Sequence, residues 1–107
     1  MDFEHMASEI GIDREDFIEL AEMLVDVSNN DMAQFEQAAA QGDLKKAAMA
    51  AHSIKGAAAN LGFMEIAKAA ETLEKSAKAE DTSEFEEKSG FIKDQLDIIN
   101  KALAGYS

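Results

Sequence analysis

The stretch Ala51-His52-Ser53-Ile54-Lys55-Gly56 holds one imidazole, an ammonium three residues on and a glycine four residues on. In a helix these three share neighbouring positions. A neutral imidazole is a nucleophile, and a nearby ammonium stabilises anionic charge that develops beside it. Other chemistry is poorly supplied. There is no cysteine, so thiolate metal sites and disulfides are excluded. No Gly-rich phosphate loop, no strand to carry one and no kinase-like carboxylate set for magnesium is present. A metal site on this helix would need ligands three or four residues from His52, but those positions hold Ala48, Met49, Lys55 and Gly56. Neither a zinc nor a di-iron bundle is expected, and no cofactor is called for.

The face that His52 occupies follows from the 3.6-residue turn. With His52 at zero, Leu44, Ala47, Ala51, Ile54, Ala58 and Leu61 form one stripe centred roughly 120° away. That stripe faces a core, and His52 lies well off its centre. Lys45, Met49, Gly56 and Asn60 surround the histidine on the other side, and Lys55 falls between it and the stripe. The imidazole is predicted to be accessible. Gly56 costs about 0.5–1 kcal/mol relative to alanine inside a helix. Either it leaves bare backbone beside the ring for something bulky to approach, or another helix crosses there.

The motif resembles that of the histidine-containing phosphotransfer (HPt) family: a histidine, a lysine at i+3, a glycine at i+4, small residues and a second glycine at i+10. Here these are His52, Lys55, Gly56, Ala57 to Ala59, and Gly62. The dimerisation helices of histidine kinases usually carry an acid directly after the histidine and a proline nearby. Here Ser53 follows, and the chain has no proline.

The resemblance implies that His52 takes a phosphoryl group from an aspartyl phosphate and later gives it up, in a multistep two-component phosphorelay. A free imidazole titrates near about 6.5, so an exposed one is mostly neutral in the cell. Lys55 would stabilise the phosphoryl charge, and Gly56 would let the partner's active-site edge approach. Lys45 and Lys46 would steer or dock it, with Met49, Ala59, Asn60 and Phe63 on the docking surface. On the following helix the family often places polar or basic side chains that face the histidine, and by offset from His52 these are Glu74 and Lys78. Glutamine is frequent at the first, so Glu74 departs from the pattern; an acid there repels a phosphoryl group unless Lys55 or Lys78 pairs with it. The implied partners are response-regulator receiver domains and a hybrid sensor histidine kinase, with the magnesium belonging to the partner and no ATP-dependent kinase activity in this chain. The alternative is a non-catalytic acidic helical module that binds or sequesters a signalling partner, with His52 an ordinary surface histidine.

At 107 residues, 47% hydrophobic and 30% charged, the chain suits one soluble globular domain spanning 1–107. The net charge of −12 argues against nucleic acid and anionic membrane as partners. Residues 1–42 hold eleven acids against Arg14 alone, whereas residues 43–78 hold six lysines against four acids. The lysines thus gather on the two helices around His52. The acidic N-terminus is no signal peptide, and no stretch is apolar enough to span a membrane. A cytoplasmic monomer is the simplest reading. Met1 and the plain Ala104-Gly105-Tyr106-Ser107 tail favour a free-standing protein over a piece of a larger kinase.

The elements follow in order. Residues 1–12 make a short helix or arm, with Ile10 and Ile12 as anchors and His5 exposed, without a carboxylate at a telling spacing. Asp13 caps the first main helix, whose stripe is Phe17, Leu20, Ala21, Leu24 and Val27. Ser28-Asn29-Asn30-Asp31 are poor helix formers, so this is one long bent helix to about Gln41 or two helices meeting near Asn30. Met32, Phe35, Ala38 and Ala39 resume the pattern. Gly42 ends it and Asp43 caps the His52 helix, which Gly62 closes. The next helix, to Ala79, sets Met64, Ile66, Ala67, Ala70, Leu73 and Ala77 on one face. Ser83 and Glu86 suggest a capping box before a last helix, from Glu84 to about Leu103, with Phe85, Ile92, Leu96, Ile99 and Leu103 inward. Four amphipathic segments joined by short turns predict an all-α antiparallel four-helix bundle with a short N-terminal arm or helix. Alanine-rich stripes let the helices approach closely, and the six methionines read as gap fillers.

Overall fold

The computed structural model describes residues 1–106; Ser107, the end of the tail read above, lies outside the described residues. The elements are α1 (Phe3–Glu9), α2 (Arg14–Ala40), α3 (Leu44–Asn60), α4 (Met64–Lys78) and α5 (Phe85–Ala104). Helix α2 packs on α3, α3 on α4, α4 on α5, and α5 back on α2. Short turns join successive neighbours, so the four long helices close an antiparallel bundle. The 27 residues of α2 span about 40 Å at 1.5 Å per residue, which matches the 41 Å long axis of the molecule.

The ends of α2 and α3 are set by turn chemistry. Gly42 and Gly62 have φ of 75° and 81°, the left-handed conformation that costs glycine least. In each turn the next amide reaches back to the helix, Asp43 N–H to the Ala38 carbonyl and Phe63 N–H to the Ala58 carbonyl, both at 2.9 Å. Glu80 takes the same role after α4 with φ 59°, and Asp81 N–H bonds the Ser76 carbonyl. The Asp43 side chain caps α3 by accepting from Lys46 N–H at 3.1 Å. Asp13 stands at the N-cap of α2, but its side chain caps nothing. The Ser83–Glu86 capping box does not form. Glu84 is the N-cap of α5 without a side-chain bond, and Ser83 N–H donates to Asp81 Oδ1 instead.

Helix α2 passes unbroken through Ser28-Asn29-Asn30-Asp31. Ser28 and Asp31 are buried, and the Asp31 carboxylate accepts the Ser53 hydroxyl of α3 at 2.7 Å. This tertiary contact overrides weak local propensity. Leu20 and Val27, expected inside, are 40% and 48% exposed. They lie roughly 40–60° from Leu24 on the side away from Val25, at the edge of a face that buries Val25 and Ser28 in their place. Met64 lies about half a turn from Leu73 and is 52% exposed, off the inward face of α4. The other α4 residues of the expected stripe and all five of α5 are buried.

The N-terminal end of α2 is covered by α1 and by aromatic rings. Phe3 packs on Phe17 and Tyr106, with centroids 5.9 and 5.1 Å apart. Phe63, in the α3–α4 turn, closes the other side of Phe17 at 5.9 Å. Phe3 and Ala7 are the main anchors of α1, with Ile10 and Ile12 packed against the core beside them. His5 is exposed, yet its Nε2 lies 3.2 Å from Glu9 Oε1; the carboxylate one turn on is a partner that the sequence reading passed over.

Candidate functional site

Helix α3 turns its alanine stripe inward, with Ala47, Ala51, Ile54 and Ala58 wholly buried. That register leaves His52 on the flank toward α4, its side chain 65% exposed. Directly behind the ring stands Glu74 of α4, only 8% exposed. The His52 Nδ1 lies 3.0 Å from Glu74 Oε2. A carboxylate only accepts, so Nδ1 is the protonated nitrogen and the neutral ring turns its lone pair outward at Nε2.

Glu74 gathers two further donors. Lys55 Nζ is 2.8 Å from Oε1 and Lys78 Nζ is 3.1 Å from Oε2. Burial pushes the Glu74 carboxyl up, but the hydrogen bonds from Lys55 and Lys78, with the charges of Lys55 and His52, outweigh it and hold it down at about 2. The acid is thus ionised at neutral pH, and both lysines return positive charge to a spot that would otherwise repel an anion. Lys75 is bonded to Glu71 at 2.9 Å, so part of the lysine cluster is matched by acids on its own helix.

A groove of about 900 Å³ opens from His52 toward the start of α3 and the end of α4. Leu44, Ala48 and Ala77 give it an apolar floor; Met49, Lys45 and Lys78 line it, with Glu80 and Asp43 at the far end. Met49 is 66% exposed. Lys46 is exposed but is not part of the groove wall. Gly56, Ala59 and Asn60 are exposed on the other side of the histidine. A Cβ at Gly56 would meet nothing within 4 Å, so none of the described helices crosses there. Phe63, expected on the docking surface, is 8% exposed and turned onto Phe17, because the α3–α4 turn needs an apolar plug over the end of the core.

The structure therefore brings His52, Lys55, Glu74 and Lys78 together, with Lys45 and Met49 along one groove. The family offset points to Glu74 and Lys78 facing the histidine, and to a lysine pairing with the acid; sequence reasoning did not foresee that Asp31 and Ser53 pin α2 to α3 beside the site. The i,i+4 spacing of Glu74 and Lys78 was the one local signal; the other contacts, from Glu74 to His52 and Lys55 and from Ser53 to Asp31, join residues far apart in the chain. Among the described residues no group of three or more His, Asp or Glu side chains is arranged for a metal ion. None of the described helices is long and apolar enough to cross a membrane.

A family model described as the Hpt domain matches residues 19–103 of the chain. No curated protein and no solved structure matches it.

Proposed function

The chain belongs to the Hpt domain family, phosphotransfer modules of two-component signalling, and on that premise we propose that His52 is its phosphoryl carrier. The observation that carries this reading is an exposed imidazole whose Nδ1 is tied to a buried carboxylate. The tie fixes the ring's orientation and tautomer, leaving Nε2 as the nucleophile. Attack by Nε2 on an aspartyl phosphate forms an N–P bond and breaks the P–O bond, and the electron pair leaves on the aspartate. Lys55 and Lys78, both within reach of Glu74, supply positive charge for the phosphoryl oxygens. Gly56, with open space where a Cβ would be, leaves room for the partner's active-site edge.

The partners in this proposal are receiver domains of response regulators and a hybrid sensor kinase that supplies the phosphoryl group. The groove beside His52 and the exposed Met49, Ala59 and Asn60 would meet them, with Lys45 and Lys46 steering. The domain acts as one cytoplasmic unit of residues 1–107 and as a monomer. Transfer of label from a phosphorylated receiver to wild type, compared with His52→Gln, tests the reading. A protein that binds the receiver equally well in both forms and never takes label would be a sequestering module instead.

A further inference from the structure

We propose that Met49 is an oxidation site of this domain: peroxide converts its thioether to a sulfoxide and so weakens receiver docking, while the phosphoryl chemistry of His52 is left intact. This rests on His52 being the phosphoryl carrier.

The chain holds six methionines and no cysteine, so thioethers are its only oxidisable sulfur. The gap-filling role that their number suggests holds for few of them. Met32 is buried and Met6 is partly buried against the core. Met1, Met23, Met49 and Met64 are 51%, 56%, 66% and 52% exposed, so Met49 is the most open of the six. A surface methionine offers a partner a soft apolar side chain that adapts to its shape.

The position of Met49 gives its oxidation a consequence. Met49 and His52 line the same groove, three residues apart on α3 and about 4.5 Å apart along its axis. A standard docking patch takes about 800 Å² from each partner, roughly 30 Å across. A receiver that delivers a phosphoryl group to Nε2 therefore covers Met49 as well. Leu44, Ala48 and Ala77 give the groove its apolar floor, so the thioether is met in apolar surroundings. A sulfoxide oxygen there is a hydrogen-bond acceptor that docking strips of water. The imidazole is held independently. Its Nδ1 is tied to Glu74, which Lys55 and Lys78 hold in turn, and Met49 takes part in none of these bonds.

The step balances with hydrogen peroxide as the oxidant. A sulfur lone pair attacks one peroxide oxygen, the S–O bond forms, the O–O bond breaks, and the second oxygen leaves as water with both protons. Sulfur gives up two electrons and the peroxide takes them. A dithiol reverses the step through methionine sulfoxide reductases, becoming a disulfide and releasing water.

The test begins with hydrogen peroxide treatment, removal of the excess by catalase, and peptide mass spectrometry to locate the added oxygen. Transfer from a charged receiver is then followed over a range of receiver concentrations, for wild type and Met49→Leu, before and after treatment. Wild type oxidised at Met49 is expected to need about fivefold more receiver for half its maximal rate. Its rate at saturation, and labelling of His52 by phosphoramidate, a small-molecule donor to histidine, should not change. Met49→Leu should keep its untreated behaviour, and sulfoxide reductases with a dithiol should restore wild type. Equal loss in Met49→Leu would move the sensitivity to Met23 or Met64 and overturn the inference. So would an unchanged receiver dependence after oxidation of Met49, a Met49 that stays unoxidised while Met23 and Met64 react, or loss of phosphoramidate labelling along with transfer. Failure of both phosphoramidate and a charged receiver to label untreated protein would remove the carrier reading, and this inference with it.

Discussion

Glu74 couples the site to the stability of the fold. Its carboxyl is held at about 2 against an ordinary 4.5. A depressed carboxyl contributes stability that is complete above the unfolded value and lost as pH falls through the folded one. The window is therefore from about pH 4.5 down to about pH 2, and the loss is on the order of 3 kcal/mol. Urea unfolding at stepped pH should show this acid limb in wild type and a much flatter one in Glu74→Gln; equal limbs would mean that the lysine pairs contribute nothing. Ser53→Ala strips the Asp31 carboxylate, 9% exposed, of its 2.7 Å donor. Denaturation should show a loss of about 1–3 kcal/mol, and a cost near zero would mean that water replaces the hydroxyl. In the sequence, His52, Lys55 and Gly56 were legible because helical spacing alone sets their faces. The Glu74–His52 contact was legible only through the family offset, because it depends on the relative height of α3 and α4, which no local pattern encodes, and the Asp31–Ser53 bond was not legible at all.

Gly56 separates what a helix needs from what a partner needs. A Cβ there would meet nothing within 4 Å, so Gly56→Ala should stabilise the isolated domain by about 0.5–1 kcal/mol. The same substitution should slow phosphotransfer from a receiver severalfold, read as a raised KM in a transfer assay. A variant that is more stable and transfers at the wild-type rate would remove the docking role of this position. The breaks at Gly42-Asp43 and Gly62 were readable because left-handed turns and an aspartate cap have strong residue preferences. The course of α2 was not, since Ser28 and Asp31 look like helix breakers and are instead held in the core. Leu20 and Val27 misled for a related reason: α2 packs between α3 and α5, and a shift of a few tens of degrees in its inward face decides which apolar residues are covered.

Charge is divided across the molecule as a whole. Residues 1–42 carry a net −10, from eleven acids and Arg14, while residues 43–78 carry +2, from six lysines and four acids. An acidic body with lysines on the helices around His52 suits a partner whose site is anionic, and would bias its encounter toward His52. Lys45→Glu combined with Lys46→Glu should slow association by roughly tenfold at low salt, and the difference should shrink as the Debye length falls below about 10 Å. Stopped-flow transfer across a salt series measures this, and a salt-independent defect would point to direct contact rather than steering.

The central claim is that His52 carries the phosphoryl group, and label transfer tests it most directly. A receiver domain charged with radiolabelled phosphate is mixed with wild type and with His52→Gln. The account predicts an acid-labile, base-stable adduct on wild type and none on the variant. Label that appears equally on His52→Gln, or on neither protein while both bind the receiver, would contradict it.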